Sequence, residues 1–314
     1  MKTVGITGGA GFIGSYITRR FLDSDYKVKV SVTNISNSDK YEHLFNLGNE
    51  DNLSIQAIDI QNLESLEDFT SDCEVLIHCG TPFKLGVENA EKELYEPTLT
   101  GTENFLNILK DHSNIEKVIF VSSVAAFNTS FPYPANGRAD DHLYTEEDEP
   151  YLDEANIPYA QAKYYADQKI RKFISNNRDL KFDIISVSPV TVVGNALSSR
   201  ADSTSIGLQK LFRSGKATDE FTQTLFNENV EFALVDVEDV AEAIYQAATS
   251  RIQHGKNYLL SSESWKISDI SKMLNGEEPE GKARIVYSNE LAKEELGIDF
   301  KPARNPLNRF GRES

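Results

Sequence analysis

Cysteine is nearly absent from this chain of 314 residues. Its two cysteines, Cys73 and Cys79, lie six apart around one short apolar segment, which argues against a disulfide framework and leaves two reduced core thiols as the expectation. Long apolar runs are missing as well. No stretch approaches the ~18 residues of a membrane span. Met1-Lys2-Thr3-Val4 leads straight into a strand-like run, with no signal-peptide pattern. Positive charge is in deficit: 32 Lys and Arg stand against 49 Asp and Glu, a net charge of −17. Such a surface repels nucleic acid and anionic membranes, while a helix N-terminus can still hold a phosphate locally. There is no internal repeat, no low-complexity linker and no metal-ligand set. The expectation that remains is an ordinary cytoplasmic globular protein, long enough for one large α/β unit or two modest ones.

The first element present is a strand, a glycine turn and a helix. Val4-Gly5-Ile6-Thr7 is a short apolar run, Gly8-Gly9-Ala10-Gly11-Phe12-Ile13-Gly14 follows, and Ile13, Ile17 and Phe21 then repeat at helical spacing. Glycines at 9, 11 and 14 satisfy G-x-G-x-x-G. The chemistry needs a tight turn, close backbone approach to a pyrophosphate, and a helix N-terminus aimed at it. In the first βαβ unit of a chain this pattern points to dinucleotide binding. Past the second strand, Val28–Val32, a ribose-binding Asp or Glu is expected, but the positions read Thr33, Asn34, Ile35 and Ser36. Lys40 lies close enough in sequence to meet a 2′-phosphate, so NADP(H) is favoured over NAD(H).

Further strands are expected at Ile55–Ile58, ending at Asp59-Ile60, at Val75–His78, running into Cys79-Gly80-Thr81-Pro82, and at Val118–Val121, closed by Ser122-Ser123. A sixth covers Phe182–Val187 and a seventh Asn257–Leu260, with Asp236 capping a helix between them. The repeated β-α order predicts an α/β fold: a Rossmann-type doubly wound parallel sheet of about seven strands, with a smaller mixed C-terminal substrate-binding region. Residues 1–188 and about 231–262 are assigned to dinucleotide binding, 189–230 and 263–308 to the substrate, and 309–314 to a frayed tail. Eight carboxylates crowd residues 140–154 and read as a solvated face. His78 reads as structural.

Pro158-Tyr159-Ala160-Gln161-Ala162-Lys163 sets a tyrosine and a lysine four apart, on one face of a helix that Pro158 suits at its first turn. A nearby ammonium is expected to lower the phenol's pKa, and a tyrosine so tuned can exchange a proton with a substrate oxygen.

Taken together, Thr7–Gly14, Asp59, Ser122-Ser123 and Tyr159-x-x-x-Lys163 make the chain resemble the extended short-chain dehydrogenase/reductases, the NAD-dependent epimerase/dehydratase superfamily. The resemblance covers nearly the whole chain. His78–Pro82, Glu91–Pro97 with Gly101-Thr102, and Ser188-Pro189-Val190 make it most similar to the dihydroflavonol reductase, cinnamoyl-CoA reductase and aldehyde reductase group. It implies Ser123, Tyr159 and Lys163 as catalytic residues of an NAD(P)-dependent ketone or aldehyde reductase, reversible as an alcohol dehydrogenase. It implies cofactor contacts from Gly8, Gly11, Phe12, Ile13, Gly14, Thr33, Asn34, Lys40, Asp59, Ile60, Gly80, Thr81, Pro82, Ser122, Tyr159, Lys163 and Pro189. Substrate contacts are implied for Pro82, Ser123, Asn128 and Tyr159, and a homodimer through the Tyr159 helix. The arginine usual after the second strand is replaced by Thr33. Nucleotide-sugar dehydratases place an acidic pair after the catalytic hydroxyl, where Val124-Ala125 stands here. Epimerases carry an asparagine segment where Ser188-Pro189 stands. NADP-binding redox sensors typically lack the Tyr/Lys pair. All three comparisons favour the reductase.

Overall fold

The computed structural model describes residues 1–83, 87–110, 112–199 and 203–313. In chain order the main elements begin with β1 (Thr3–Thr7), α1 (Phe12–Leu22), β2 (Lys27–Val32), β3 (Leu53–Ala57), α2 (Leu63–Thr70) and β4 (Val75–His78). Then come α3 (Glu96–Ile108), β5 (Lys117–Val121), the one-turn α4 (Val124–Phe127), α5 (Pro158–Asn176), β6 (Asp183–Pro189) and β7 (Thr191–Val193). The chain closes with α6 (Thr204–Ser214), α7 (Glu220–Asn227), β8 (Glu231–Asp236), α8 (Val237–Thr249), β9 (Asn257–Leu260), β10 (Glu263–Lys266), α9 (Ile267–Leu274), α10 (Glu290–Leu296) and α11 (Arg304–Glu313).

Among the described residues seven strands form one parallel sheet in the order β3-β2-β1-β4-β5-β6-β9. The order reverses between β1 and β4, which opens a crevice past their carboxyl ends. Strands buried on both faces sort their side chains by alternation. Leu76, Val118 and Phe120 join the core under α2, α3 and α5. Val75, Ile77, Ile119 and Val121 join the core under α1 and α8. Small residues let α8 lie close against that face: Ala241, Ala243, Ala247 and Ala248 are all buried. Asp236 caps α8 as expected, its Oδ1 accepting from the Glu238 N–H at 3.0 Å.

A second sheet, β10-β8-β7, carries a separate core with α6, α7, α9 and α11. Two boundaries differ from the sequence reading. Residues 231–236, assigned from sequence to dinucleotide binding, pair with β7 and β10 rather than with the main sheet. Residues 309–313 are not a tail but the end of α11; Ser314 lies outside the described residues. Leu307 and Phe310 are buried in the third core, and Arg309 Nη2 donates to both Asp236 oxygens at 3.2 Å. No helix among the described residues is long and apolar enough to cross a membrane.

Candidate active site

Sterics dictate the glycine turn at the end of β1. Gly8 has φ +70°, and a methyl group there would lie 2.6 Å from the Gly80 Cα. A methyl group on Gly14 would lie 2.1 Å from the Gly8 carbonyl oxygen. Only hydrogen fits at either place. The N-cap of α1 is Gly11, which offers no capping side chain, and the first turn carries no acidic residue. Its leading N–H groups are therefore available to an anion, and the helix dipole favours one. The residues present fit the pyrophosphate of a dinucleotide.

The other cofactor candidates ring the same edge. Asp59 is exposed after β3, with Oδ1 accepting the Gln61 N–H at 2.9 Å. Ile60 is half-buried and packs on Gly101. Thr33, Asn34 and Lys40 are exposed beyond β2, and the Asn34 Oδ1 accepts the Ser36 N–H at 2.9 Å. Gly80, Thr81 and Pro82 continue from β4, half-buried, while Ser122 and Pro189 are buried at the ends of β5 and β6. Phe12 and Ile13 are half-buried at the start of α1.

Ser123, Tyr159 and Lys163 come together at the carboxyl ends of the strands, in one cleft with Thr81, Val121 and Pro189. Ser123 is the N-cap of α4, its Oγ accepting the Ala125 N–H at 3.1 Å. That leaves its proton to donate, with the Tyr159 hydroxyl in the same cleft. Tyr159 sits in the first turn of α5, opened by Pro158. Gln161 ties that turn down: its Nε2 donates to the Asn156 carbonyl at 2.8 Å and its Oε1 accepts from Tyr95 at 2.9 Å. One turn on, Lys163 is 8% exposed. Its ammonium donates to Thr81 Oγ1 at 2.5 Å and to the Val121 carbonyl at 3.4 Å.

Burial pushes the Lys163 pKa down to about 8, against the raising influence of Cys79 and Asp167. The Tyr159 phenol moves opposite to expectation. Burial among apolar groups raises it to about 12, while the hydrogen bond from Ser123 works in the lowering direction. The Lys163 ammonium turns toward Thr81 and Val121 and is not among the influences on the phenol.

The rest of the cleft is mostly apolar, walled by Phe83, Phe131, Val190, Val192, Leu208, Phe221 and Phe232, with Thr191, Ser205 and Thr222 as its further hydroxyls. The Phe83 ring lies 4.6 Å from the Tyr159 ring, tilted 41°. Sequence reasoning assigned Val190, Val192, Leu208 and Phe221 only to a broad stretch and missed Phe83 and Phe232, because the walls come from segments far apart in the chain. Cys79 was expected in the core, as Cys73 is; it is half-buried and lines the cleft instead. Burial pushes its thiol up to about 11.

Asn128 is not brought to the cleft. It is wholly buried, its Nδ2 donating to the Tyr133 carbonyl and to the Tyr287 hydroxyl, each at 2.9 Å. Its Oδ1 accepts the Ser130 N–H at 3.0 Å, so the amide braces the loop behind the site. Some acidic residues of 140–154 are likewise structural rather than solvated. Glu146 Oε1 accepts the Leu259 N–H at 2.9 Å, and Asp148 pairs with Arg138 at 2.5 Å.

The chain is similar to known proteins at low identity. The chain is 26% identical to an anthocyanidin reductase of Arabidopsis thaliana over 98% of its own length and 90% of that protein's. It is 26% identical to a cinnamoyl-CoA reductase of Medicago truncatula, over 82% of this chain and 76% of the relative. The crystal structure of yeast methylglyoxal/isovaleraldehyde reductase Gre2 complexed with NADPH superposes with a TM-score of 0.81 at 24% identity, covering 99% of this chain and 97% of that one. Residues 4–261 match the profile described as the NAD dependent epimerase/dehydratase family. With the glycine turn, the strand order and that match in agreement, the chain belongs to the NAD dependent epimerase/dehydratase family.

Proposed function

We propose that the chain is an NADPH-dependent reductase of a ketone or aldehyde, reversible as an alcohol dehydrogenase. The observation that carries this reading is the convergence of Ser123, Tyr159 and Lys163 in an apolar cleft beside the glycine turn. The glycine turn and the first N–H groups of α1 would hold the pyrophosphate. Asp59 and Ile60 would meet the adenine, Thr33, Asn34 and Lys40 a 2′-phosphate, and Lys163 the nicotinamide ribose hydroxyls. When bound, the nicotinamide supplies the hydride. Similarity to the NADPH-bound yeast reductase supports the choice of cofactor.

Tyr159 keeps its proton at neutral pH because burial holds its pKa near 12, so it is set to protonate the oxygen of a reduced carbonyl. Ser123 donates to that oxygen as negative charge develops on it. Lys163 is the one charged side chain among the described residues lining the cleft, and the apolar walls exclude water from the reacting atoms. A diphosphate-linked sugar finds little counter-charge among those residues, which favours a neutral carbonyl over a nucleotide sugar. A homodimer through α5 belongs to the same reading, and light scattering on the purified protein tests it.

The experiment is NADPH oxidation against a panel of aldehydes and ketones, with wild type and Tyr159→Phe. The variant is expected to lose turnover and keep NADPH binding, read by nucleotide fluorescence. Unimpaired turnover would overturn the assignment. NADH bound more tightly than NADPH, with Lys40→Ala changing neither, would overturn the cofactor.

A further inference from the structure

We propose that Thr7 and His78 act as a positioning pair at the reversal of strand order, with the His78 imidazole as a fixed neutral acceptor that holds the Gly80-Thr81 turn and, through it, Lys163. This deepens the reductase reading and rests on it. Thr7 and His78 are the last residues of β1 and β4, directly paired in the sheet where its order reverses. Beyond them the ladder makes one last bond, the Cys79 N–H donating to the Thr7 carbonyl at 3.2 Å, and the Thr7 side chain shares that donor and receives the next one. Its Oγ1 accepts the Cys79 N–H at 3.2 Å and the Gly80 N–H at 3.3 Å.

Two donors occupy both lone pairs of that hydroxyl, so its proton has to be donated. The partner is His78 Nδ1 at 3.0 Å. That network assigns Nδ1 as the acceptor and places the ring proton on Nε2, which is buried with no hydrogen-bond partner. A buried, unpaired donor is an expense that a purely structural position would relieve with an apolar residue. His78 is 3% exposed, and its ring lies 4.6 Å from that of Phe105 and 5.6 Å from that of Phe120. An aliphatic or aromatic side chain would suit this place better, were the acceptor not needed.

What the acceptor holds is functional ground. Gly80 abuts Gly8, with no room for a methyl group between them, so the turn after β4 forms the wall of the pyrophosphate crevice. The next residue is Thr81, whose Oγ1 takes the Lys163 ammonium at 2.5 Å. His78 therefore acts through Thr7, the turn and Thr81, without touching the reacting atoms. Protonation would turn Nδ1 into a donor facing a hydroxyl that already accepts twice. Burial, with Lys163 nearby, prevents this by holding the imidazole pKa down near 3.

The test compares His78→Leu and Thr7→Val, which break the pair, with His78→Asn and Thr7→Ser, which keep an acceptor and a hydroxyl. Turnover with saturating NADPH, NADPH affinity by fluorescence, and Tm are measured for each. His78→Leu and Thr7→Val are expected to lose about 10²-fold in kcat, the scale for small misplacements of catalytic groups. NADPH affinity should weaken in both, and both conservative variants should be restored. The double variant should be no worse than either single one, since both break the same link. If the broken variants keep wild-type kcat and differ only in Tm, or if the double variant shows the two losses added, the pair is structural and the proposal fails. Wild type that neither binds NADPH nor reduces any carbonyl refutes the reductase reading itself, and this inference with it.

Discussion

Replacing Ser123 separates two roles that one oxygen combines. Its Oγ accepts the Ala125 N–H at 3.1 Å, capping α4, and keeps a proton to donate in the cleft it shares with Tyr159. Ser123→Ala removes both. Loss of an N-cap costs about 1 kcal/mol, roughly 2 °C in Tm for a chain of this size. Loss of a donor to a developing oxyanion costs about 3 kcal/mol in the transition state, or about 10²- to 10³-fold in kcat. Glycine is nearly as good an N-cap as serine, falling short by only a few tenths of a kcal/mol. The backbone at 123 is extended, with φ −165° and ψ 153°, so glycine is not required there and is not excluded. Ser123→Gly should thus lose turnover as fully as Ser123→Ala while keeping its Tm. Ser123→Thr, which retains the hydroxyl, should keep most of its activity. The assay is initial-rate NADPH oxidation with thermal unfolding in parallel. If Ser123→Gly stays within tenfold of wild type and Ser123→Ala does not, serine acts through the cap of α4 and the donor role is wrong.

Further consequences can be measured separately. Gly14→Ala places a methyl group 2.1 Å from the Gly8 carbonyl oxygen, and backbone cannot give way as a side chain does. It should abolish NADPH binding by fluorescence titration and destabilise the chain by about 1–3 kcal/mol or more; normal binding would refute the cradle. With Lys163 near pH 8 and Tyr159 near pH 12, carbonyl reduction should hold at neutral pH and fall above pH 8 as Lys163 loses its charge. A kcat profile flat to pH 10 would show that the ammonium is not needed. Arg309→Ala leaves the wholly buried Asp236 carboxylate with the Glu238 N–H and with Lys301 at 3.8 Å. Breaking a fully buried pair costs about 3–5 kcal/mol, and half-exposure of Arg309 with Lys301 nearby should bring this to about 2, read from urea midpoints.

What could be read from the sequence was what local sterics and alternation determine. The glycine turn is a backbone requirement confined to residues 8–14, and alternation in Val118–Val121 already sorts side chains to two faces. The small sheet was hidden because β7 has three residues and its partner β8 begins almost 40 positions later. Residues 309–313 look like a polar tail for the same reason: Leu307 and Phe310 belong to a core assembled from α6, α7, α9 and the small sheet, elements distant in the chain. Spacing suggested Tyr159 and Lys163 as one candidate pair, the family resemblance added Ser123, and the fold brings the three into one cleft, but their electrostatics were not legible. Sequence proximity suggested that Lys163 would acidify Tyr159. In the folded chain, apolar walls from residues 83, 131 and 190–232 raise the phenol, and Thr81 draws the ammonium aside. Asn128 shows the converse, a polar residue near Ser123 in sequence whose every hydrogen-bonding group faces the scaffold. His78 lies between these cases. Nothing in its neighbours marks it as more than a core histidine until the register of β4 sets it beside Thr7, whose hydroxyl has one proton left and one acceptor to receive it.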